Sequence, residues 1–144
     1  MKKILLTGLF LLLATSCLAE MISVSHLPAE VRDKAMVSGS NVIKQLDLYA
    51  PLEVLENGAA YLKVKTADGI VGYIHKSLTT ATHTVTVTAD LCNVRSGPGK
   101  EFPVAFKAKK GNSFQLLAQE QKWVQVKAAD DKTGWIWQDL VWGE

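Results

Sequence analysis

A segment of about sixty residues occurs twice in this chain, and that duplication restricts the fold more than any other feature. Ile22-Ser23-Val24-Ser25 stand 63 positions before Val85-Thr86-Val87-Thr88, and Val31-Arg32 the same distance before Val94-Arg95. Further on the offset is 62: Tyr61 matches Trp123, Val64 matches Val126, Gly72-Tyr73-Ile74 matches Gly134-Trp135-Ile136, and Leu78 matches Leu140. A one-residue length difference in the loop after each Val-Arg pair accounts for the change. The chain therefore reads as two copies of one small unit, residues 20–80 and 84–144. A unit of ~60 residues buries only about 60% of its unfolded surface and is marginal alone. Two of them joined by the short stretch Thr79 to Thr84 are expected to share a modest interface.

Each copy reads as short β-strands. Val85 and Val87 alternate with threonines, and Trp123-Val124-Gln125-Val126-Lys127 alternates again, as half-buried strands require. In the first copy Tyr61-Leu62-Lys63-Val64-Lys65 has the same pattern. Further strands are expected over Phe102 to Phe106, Ser113 to Leu117, Gly134 to Trp137 and Gly72 to Ile74. Turns fall at Ser96-Gly97-Pro98-Gly99, where glycine would supply positive φ and proline fixes its own. Others fall at Lys109-Lys110-Gly111-Asn112, Asp130-Asp131-Lys132 and Ala67-Asp68-Gly69. No stretch has helical periodicity over 11 or more residues, and Val42 to Leu48 comes nearest. Five or so short strands per copy, with turns every 8–12 residues, predict an all-β chain of two small antiparallel barrels.

The N-terminus has the pattern of a cleaved secretory signal over residues 1–19. Lys2 and Lys3 precede an apolar run from Ile4 to Leu13, followed by the small and polar residues Ala14-Thr15-Ser16-Cys17-Leu18-Ala19. The run is too short to span a bilayer, which takes roughly 20 apolar residues, so no transmembrane segment is expected. Two cleavage readings stand. A cut after Ala19 has small residues where they matter, whereas Ala14-Thr15-Ser16-Cys17 is similar to a lipobox lacking the usual leucine, which would make Cys17 a lipid anchor. Either places the protein in the periplasm or outside the cell.

Loss of Lys2 and Lys3 leaves 14 basic residues against the 14 acidic ones. A neutral protein has no footprint for a polyphosphate partner, so nucleic acid is not expected. Cys92 is the lone cysteine after the signal; it cannot form an intramolecular disulfide, and its place in an alternating strand predicts a buried core thiol.

Leu91-Cys92-Asn93-Val94-Arg95-Ser96-Gly97-Pro98-Gly99 resembles the signature of the bacterial SH3 (Src-homology 3) domain family. The Lys-Lys-Gly turn, the Trp-x-x-Val strand and the closing Gly-Trp-Ile follow in the same order. The resemblance covers residues 84–142 well. It is weaker over 21–80, where Val31-Arg32 survives but Asp33 to Ser40 replaces the glycine-proline turn. It implies two tandem SH3-like antiparallel β-barrels, the first divergent, in a non-catalytic module of the cell envelope. Members of the family often recognise peptidoglycan or peptides.

Alternation places Val124 and Val126 on one face and Trp123 and Gln125 on the other. With Ile136 inward by resemblance, Trp135 and Trp137 face outward. By analogy with peptide-binding relatives of the fold, Trp123, Trp137 and Leu140 would line a groove, with Tyr61, His75 and Leu78 as counterparts. An indole offers such a groove a broad apolar face and one N–H donor; the competing reading is that these rings cap a barrel short of apolar volume. Arg32 and Arg95, the only arginines, stand at equivalent positions. Either they contact a ligand carboxylate or they brace the first strand against the following loop, and the brace is preferred. Asn93, Arg95, Gly97, Pro98 and Gly99 then form a structural turn.

The catalytic inventory is short. His26, His75 and His83 are isolated from one another, and there is no His pair at metal spacing, no nucleophile elbow and no phosphate loop. The expectation is a protein that is not an enzyme, with no catalytic residues, no metal and no cofactor. Its partner would be peptidoglycan or a peptide segment, bound through aromatic grooves. The alternative is an accessory or assembly subunit presenting both barrels to a single protein partner, with the grooves filled by the neighbouring copy. The sequence carries no signal for oligomeric state.

Overall fold

A computed structural model describes residues 19–144; the expected signal segment, apart from Ala19 but including Cys17, lies outside the described residues. Fourteen strands are arranged as two antiparallel sheets of seven. The first holds β1 (Glu20–Val24), β2 (Ala29–Arg32), β3 (Val42–Leu46), β4 (Pro51–Asn57), β5 (Tyr61–Lys65), β6 (Val71–His75) and β7 (Thr79–Thr80). The second holds β8 (Thr84–Val87), β9 (Leu91–Arg95), β10 (Val104–Lys109), β11 (Ser113–Glu120), β12 (Trp123–Lys127), β13 (Thr133–Trp137) and β14 (Val141–Trp142). The strand orders, β3-β2-β6-β5-β4-β1-β7 and β10-β9-β13-β12-β11-β8-β14, are one topology repeated.

Both sheets bend at the same two places. The register between β4 and β5 slips across Val54 and Glu56, and that between β11 and β12 across Leu116 and Ala118. The second slip lies between Val42 and Lys44 beside β2 and between Val104 and Phe106 beside β9. Each slip inserts an unpaired residue, which kinks the strand, increases its twist and lets a sheet curl around a small core. It also resets the inside–outside alternation. Leu55 and Leu117, the inserted residues of β4 and β11, are accordingly 43% and 48% exposed, although Val54 and Leu116 just before them pack against the cores.

Each barrel encloses its own core. Ile22, Val24, Val31, Leu52, Leu62, Val64 and Ile74 fill the first; Val85, Val87, Val94, Phe114, Val124, Val126 and Ile136 take the equivalent places in the second. Where the first core has Ala29 the second has Cys92, and where the first has Leu46 the second has Ala108, so volume is redistributed between facing positions. Cys92 is buried and free, and burial pushes its thiol pKa up.

Four sequence expectations shift. Thr79 and Thr80 are not part of the connection: they pair with Val24 and Ser23, leaving only residues 81–83 between the sheets. β-Branched side chains favour that pairing. Val42–Leu46 is an extended edge strand, and the strand expected from Phe102 starts at Val104 because Phe102 belongs to the preceding turn. Each sheet has seven strands rather than five, because the Val-Arg segment is itself a strand, β2 or β9, and short β7 and β14 return to pair with β1 and β8 after a single 3₁₀ turn. Glycines 97 and 99 are absent from the residues of positive φ. Gly97 is needed for space: a Cβ there would run into the Phe102 ring.

The barrels meet along β1, β4, β8 and the C-terminus. The Ser23 hydroxyl donates to the carbonyl of Thr82 at 2.8 Å, and the Leu116 N–H to that of His83 at 3.0 Å. Gly143, at φ +121°, lies so close to Pro51 and the Thr84 carbonyl that a Cβ there would sit 2.8 Å and 2.6 Å from them.

Candidate functional site

The closing hairpin of each barrel carries an aromatic pair at one register position. Trp123 opens β12 and Trp137 ends β13, and the two stand directly opposite in the ladder. Tyr61 and His75 occupy the same positions on β5 and β6. Cross-strand neighbours of this kind have Cβ atoms about 5 Å apart, near enough for rings to touch. The indoles meet edge to face with centroids 5.4 Å apart and planes at 71°, and Tyr61 meets His75 at 5.1 Å and 83°. That geometry sets the positive edge of one ring against the negative face of the other.

The backbone closes behind each pair in the same way. The N–H of Gln138 donates to the Lys122 carbonyl, and that of Lys76 to the Ala60 carbonyl, both at 2.9 Å. All four rings are half-buried, with Val124 and Ile136, or Leu62 and Ile74, beneath them in the core. Around the indoles the surface is polar. The Lys122 ammonium stands 5.9 Å from the Trp137 ring centre, within cation–π range, and the amides of Gln119 and Gln138 bond at 3.3 Å. In the first barrel His75 also caps the 3₁₀ turn, where its Nδ1 accepts the Ser77 N–H at 3.2 Å and lies 2.7 Å from the Ser77 hydroxyl. Trp137 makes no such bond.

Leu140 and Leu78 are anchored into their barrels. Both pack against their cores, and their carbonyls accept the N–H groups of Thr88 and Ser25 at 2.9 Å and 2.8 Å. Trp135 is half-buried at the centre of the second sheet, opposite Gln125 on one side and Arg95 on the other. None of Tyr61, His75, Trp123 or Trp137 lines the cleft between the barrels.

Both arginines hold the loop that follows their strand. Arg95 donates to the carbonyls of Lys100 and Phe102 at 3.2 Å and 2.9 Å. Arg32 reaches Val37, the position equivalent to Lys100, at 3.4 Å, the Ser40 hydroxyl at 3.1 Å and the Glu30 carboxylate at 2.8 Å. Asn93 is exposed on β9 opposite Lys107. Gly97 and Gly99 are buried in the turn, Pro98 is half-buried, and the Gly99 N–H donates to the Gly97 carbonyl at 2.9 Å. Sequence reasoning missed Lys122 and Ser77, each adjacent in the chain to a noted residue or its hairpin, and the cleft between the barrels, which no local pattern announces. No cluster of three or more His, Cys, Asp or Glu side chains fit to hold a metal occurs among the described residues.

Two seven-stranded antiparallel sheets, each bent twice and closed by a 3₁₀ turn and a returning strand, define a pair of small SH3-like β-barrels. Residues 88–143 match the family model described as the bacterial SH3 domain. The chain is similar to the putative N-acetylmuramoyl-L-alanine amidase YrvJ of Bacillus subtilis, 33% identical over 60 residues, 42% of this chain and 12% of that protein. It is also similar to the probable cell wall amidase LytH of Staphylococcus epidermidis, 37% identical over 54 residues, 37% of this chain and 18% of that protein. The chain thus spans well under a quarter of the length of either relative. Among solved structures, NlpC2 from Trichomonas vaginalis aligns over 88% of this chain and 49% of its own, at 10% identity and a TM-score of 0.39. No helix among the described residues is long and apolar enough to cross a membrane.

Proposed function

We propose that the protein is an exported, non-catalytic module of the cell envelope, built of SH3-like units 20–80 and 84–144, whose aromatic pairs engage peptidoglycan or a peptide segment. One observation carries the reading: half-buried aromatic pairs recur at the same register position in both barrels, Trp123 with Trp137 and Tyr61 with His75. The rings are only half-buried, and Lys122, Gln119 and Gln138 lie beside the indole pair. A half-buried indole beside amide donors and acceptors suits the mixed apolar and polar surface of a glycan or peptide strand. The relatives' names, cell wall amidases matched only over their SH3-like portion, support a cell-wall partner. Two weak sites on one chain gain avidity when both engage one polymer.

The test is co-sedimentation with purified sacculi, wild type against Trp137→Ala, with melting temperature as a check on folding. Retention of the wild type with about tenfold weaker retention of a folded Trp137→Ala supports the site; a hot-spot aromatic is worth roughly 2 kcal/mol or more. No retention of the wild type sinks the peptidoglycan reading. Equal retention of both removes Trp137 from the site.

A further inference from the structure

The first barrel carries a side-chain latch that the second lacks. His75 ends β6 and caps the 3₁₀ turn Lys76–Leu78, where its Nδ1 accepts the Ser77 N–H at 3.2 Å and lies 2.7 Å from the Ser77 hydroxyl. At the other end of the turn the Thr79 hydroxyl donates to the Lys76 carbonyl at 2.8 Å. The acceptor role fixes the state of the ring. Nδ1 has a lone pair only in the neutral imidazole whose proton is on Nε2, whereas both nitrogens of an imidazolium are donors. A proton taken from solvent at Nδ1 can be donated onward to the Ser77 hydroxyl oxygen, but the Ser77 N–H then faces another N–H and loses its acceptor. Imidazole is the side chain that ordinarily changes charge between about pH 5 and 8.

The surroundings hold no counter-charge for the protonated ring. Tyr61 on β5 meets it edge to face at 5.1 Å, Tyr73 stands two residues back on β6, and Lys76 follows it in the chain. Lys63 on β5 is paired with Glu56 at 3.6 Å, and Glu30 on β2 with Arg32 at 2.8 Å. A second imidazole, His26, is on the loop after β1; its N–H donates to the Leu78 carbonyl at 3.4 Å, and its Nδ1 lies 2.8 Å from the Ser25 hydroxyl. No ion pair to His75 occurs among the described residues. The second barrel enters the same turn from Trp137 with no side-chain cap, and both barrels keep the backbone bond behind the pair at 2.9 Å. A barrel of this kind therefore closes without the latch, and its release is a local event. We propose that His75 is a pH-sensitive latch: its protonation frees the Ser77 N–H, loosens the turn Lys76–Leu78 and places a positive charge in the Tyr61–His75 pair, while the Trp123–Trp137 pair is unaffected. The latch does not depend on what the aromatic pairs bind; as control of wall binding it rests on the function proposed above.

The experiment is an NMR titration of the ¹⁵N-labelled protein from about pH 8 to about pH 5, the range in which imidazole changes charge. No ligand is added, so the outcome is separate from any test of wall binding. The Ser77 and Lys76 amides are expected to shift along the same curve as the His75 ring protons. Hydrogen exchange at the Ser77 N–H, corrected for its intrinsic pH dependence, is expected to quicken about fivefold on the acid side, the scale of one hydrogen bond. The Gln138 amide and the Trp137 indole N–H are expected to stay in place. His75→Asn supplies a cap oxygen that does not titrate, so the Ser77 N–H is expected to be held at every pH and the curve to vanish. His26→Asn is expected to leave the wild-type curve intact. A Ser77 amide indifferent to the His75 titration, a curve that survives His75→Asn, or one lost in His26→Asn would overturn the proposal.

Discussion

Gly134 and Gly72 sit at one position of the two barrels, where a strand crosses the core so closely that a side chain has no room. A Cβ on Gly134 would collide with Val94 Cγ1, a fully buried core atom, and lie 3.0 Å from the Arg95 carbonyl. At Gly72 it would meet Val31 Cγ1 at 2.5 Å, the Arg32 carbonyl at 2.7 Å and Ile43 Cδ1 at 2.8 Å. Neither glycine has positive φ, so alanine carries no backbone strain there and restricts the unfolded chain, a gain of about 0.4–1 kcal/mol. Overpacking costs about 1–3 kcal/mol. The net for Gly134→Ala is a loss of about 1–2 kcal/mol, and Gly72→Ala is expected to lose more, because a backbone carbonyl inside contact distance cannot rotate away. At about 4–8 °C per kcal/mol for a barrel melting alone, calorimetry would show a drop of several degrees, roughly halved if both barrels melt together. A double-mutant cycle isolates the cause: in a Val94→Ala background the methyl gains space, and Gly134→Ala should cost at least about 1 kcal/mol less. An unchanged or raised melting temperature, or strict additivity with Val94→Ala, would refute the close-packing argument.

Two further outcomes follow from buried and bridged groups. Cys92, 4% exposed and with its thiolate disfavoured by burial, should resist iodoacetamide at pH 8 in the native protein and react fully in denaturant; rapid native labelling would contradict its place in the core. Asp68 has a folded-state pKa lowered first by the Thr66 hydroxyl and then by Lys44, so its contribution is present above the ordinary carboxylate value and is lost as pH falls through the depressed one. Asp68→Asn should therefore lower stability by no more than about 1 kcal/mol at pH 7, and the difference from wild type should shrink toward zero near pH 2 in urea titrations. A difference that grows in acid would reverse the sign of that linkage.

Much of the architecture is legible in the residues. The 63- and 62-residue offsets mark the duplication, and the alternation of Tyr61–Lys65 and Trp123–Lys127 yields two strands at their observed bounds. Val124, Val126 and Ile136 point inward as the two-residue period requires. What fails to show is long-range. The slips at Leu55 and Leu117 break the period only because a partner strand lacks a residue there, and Thr79–Thr80 becomes a strand only because β1 presents a free edge. The glycine-proline turn lies where its residues place it, but for a reason other than positive φ, since Gly97 makes room for Phe102.

By itself the sequence determined that two equivalent all-β units follow one another, because periodicity, turn residues and repeats are local properties of the chain. The tertiary structure alone decided that Trp123 and Trp137 meet edge to face across one hairpin. It alone also brought Asp47 and Lys110 to one cleft. Both depend on strand register and on the packing of one barrel against the other, which are set by contacts between residues far apart in sequence.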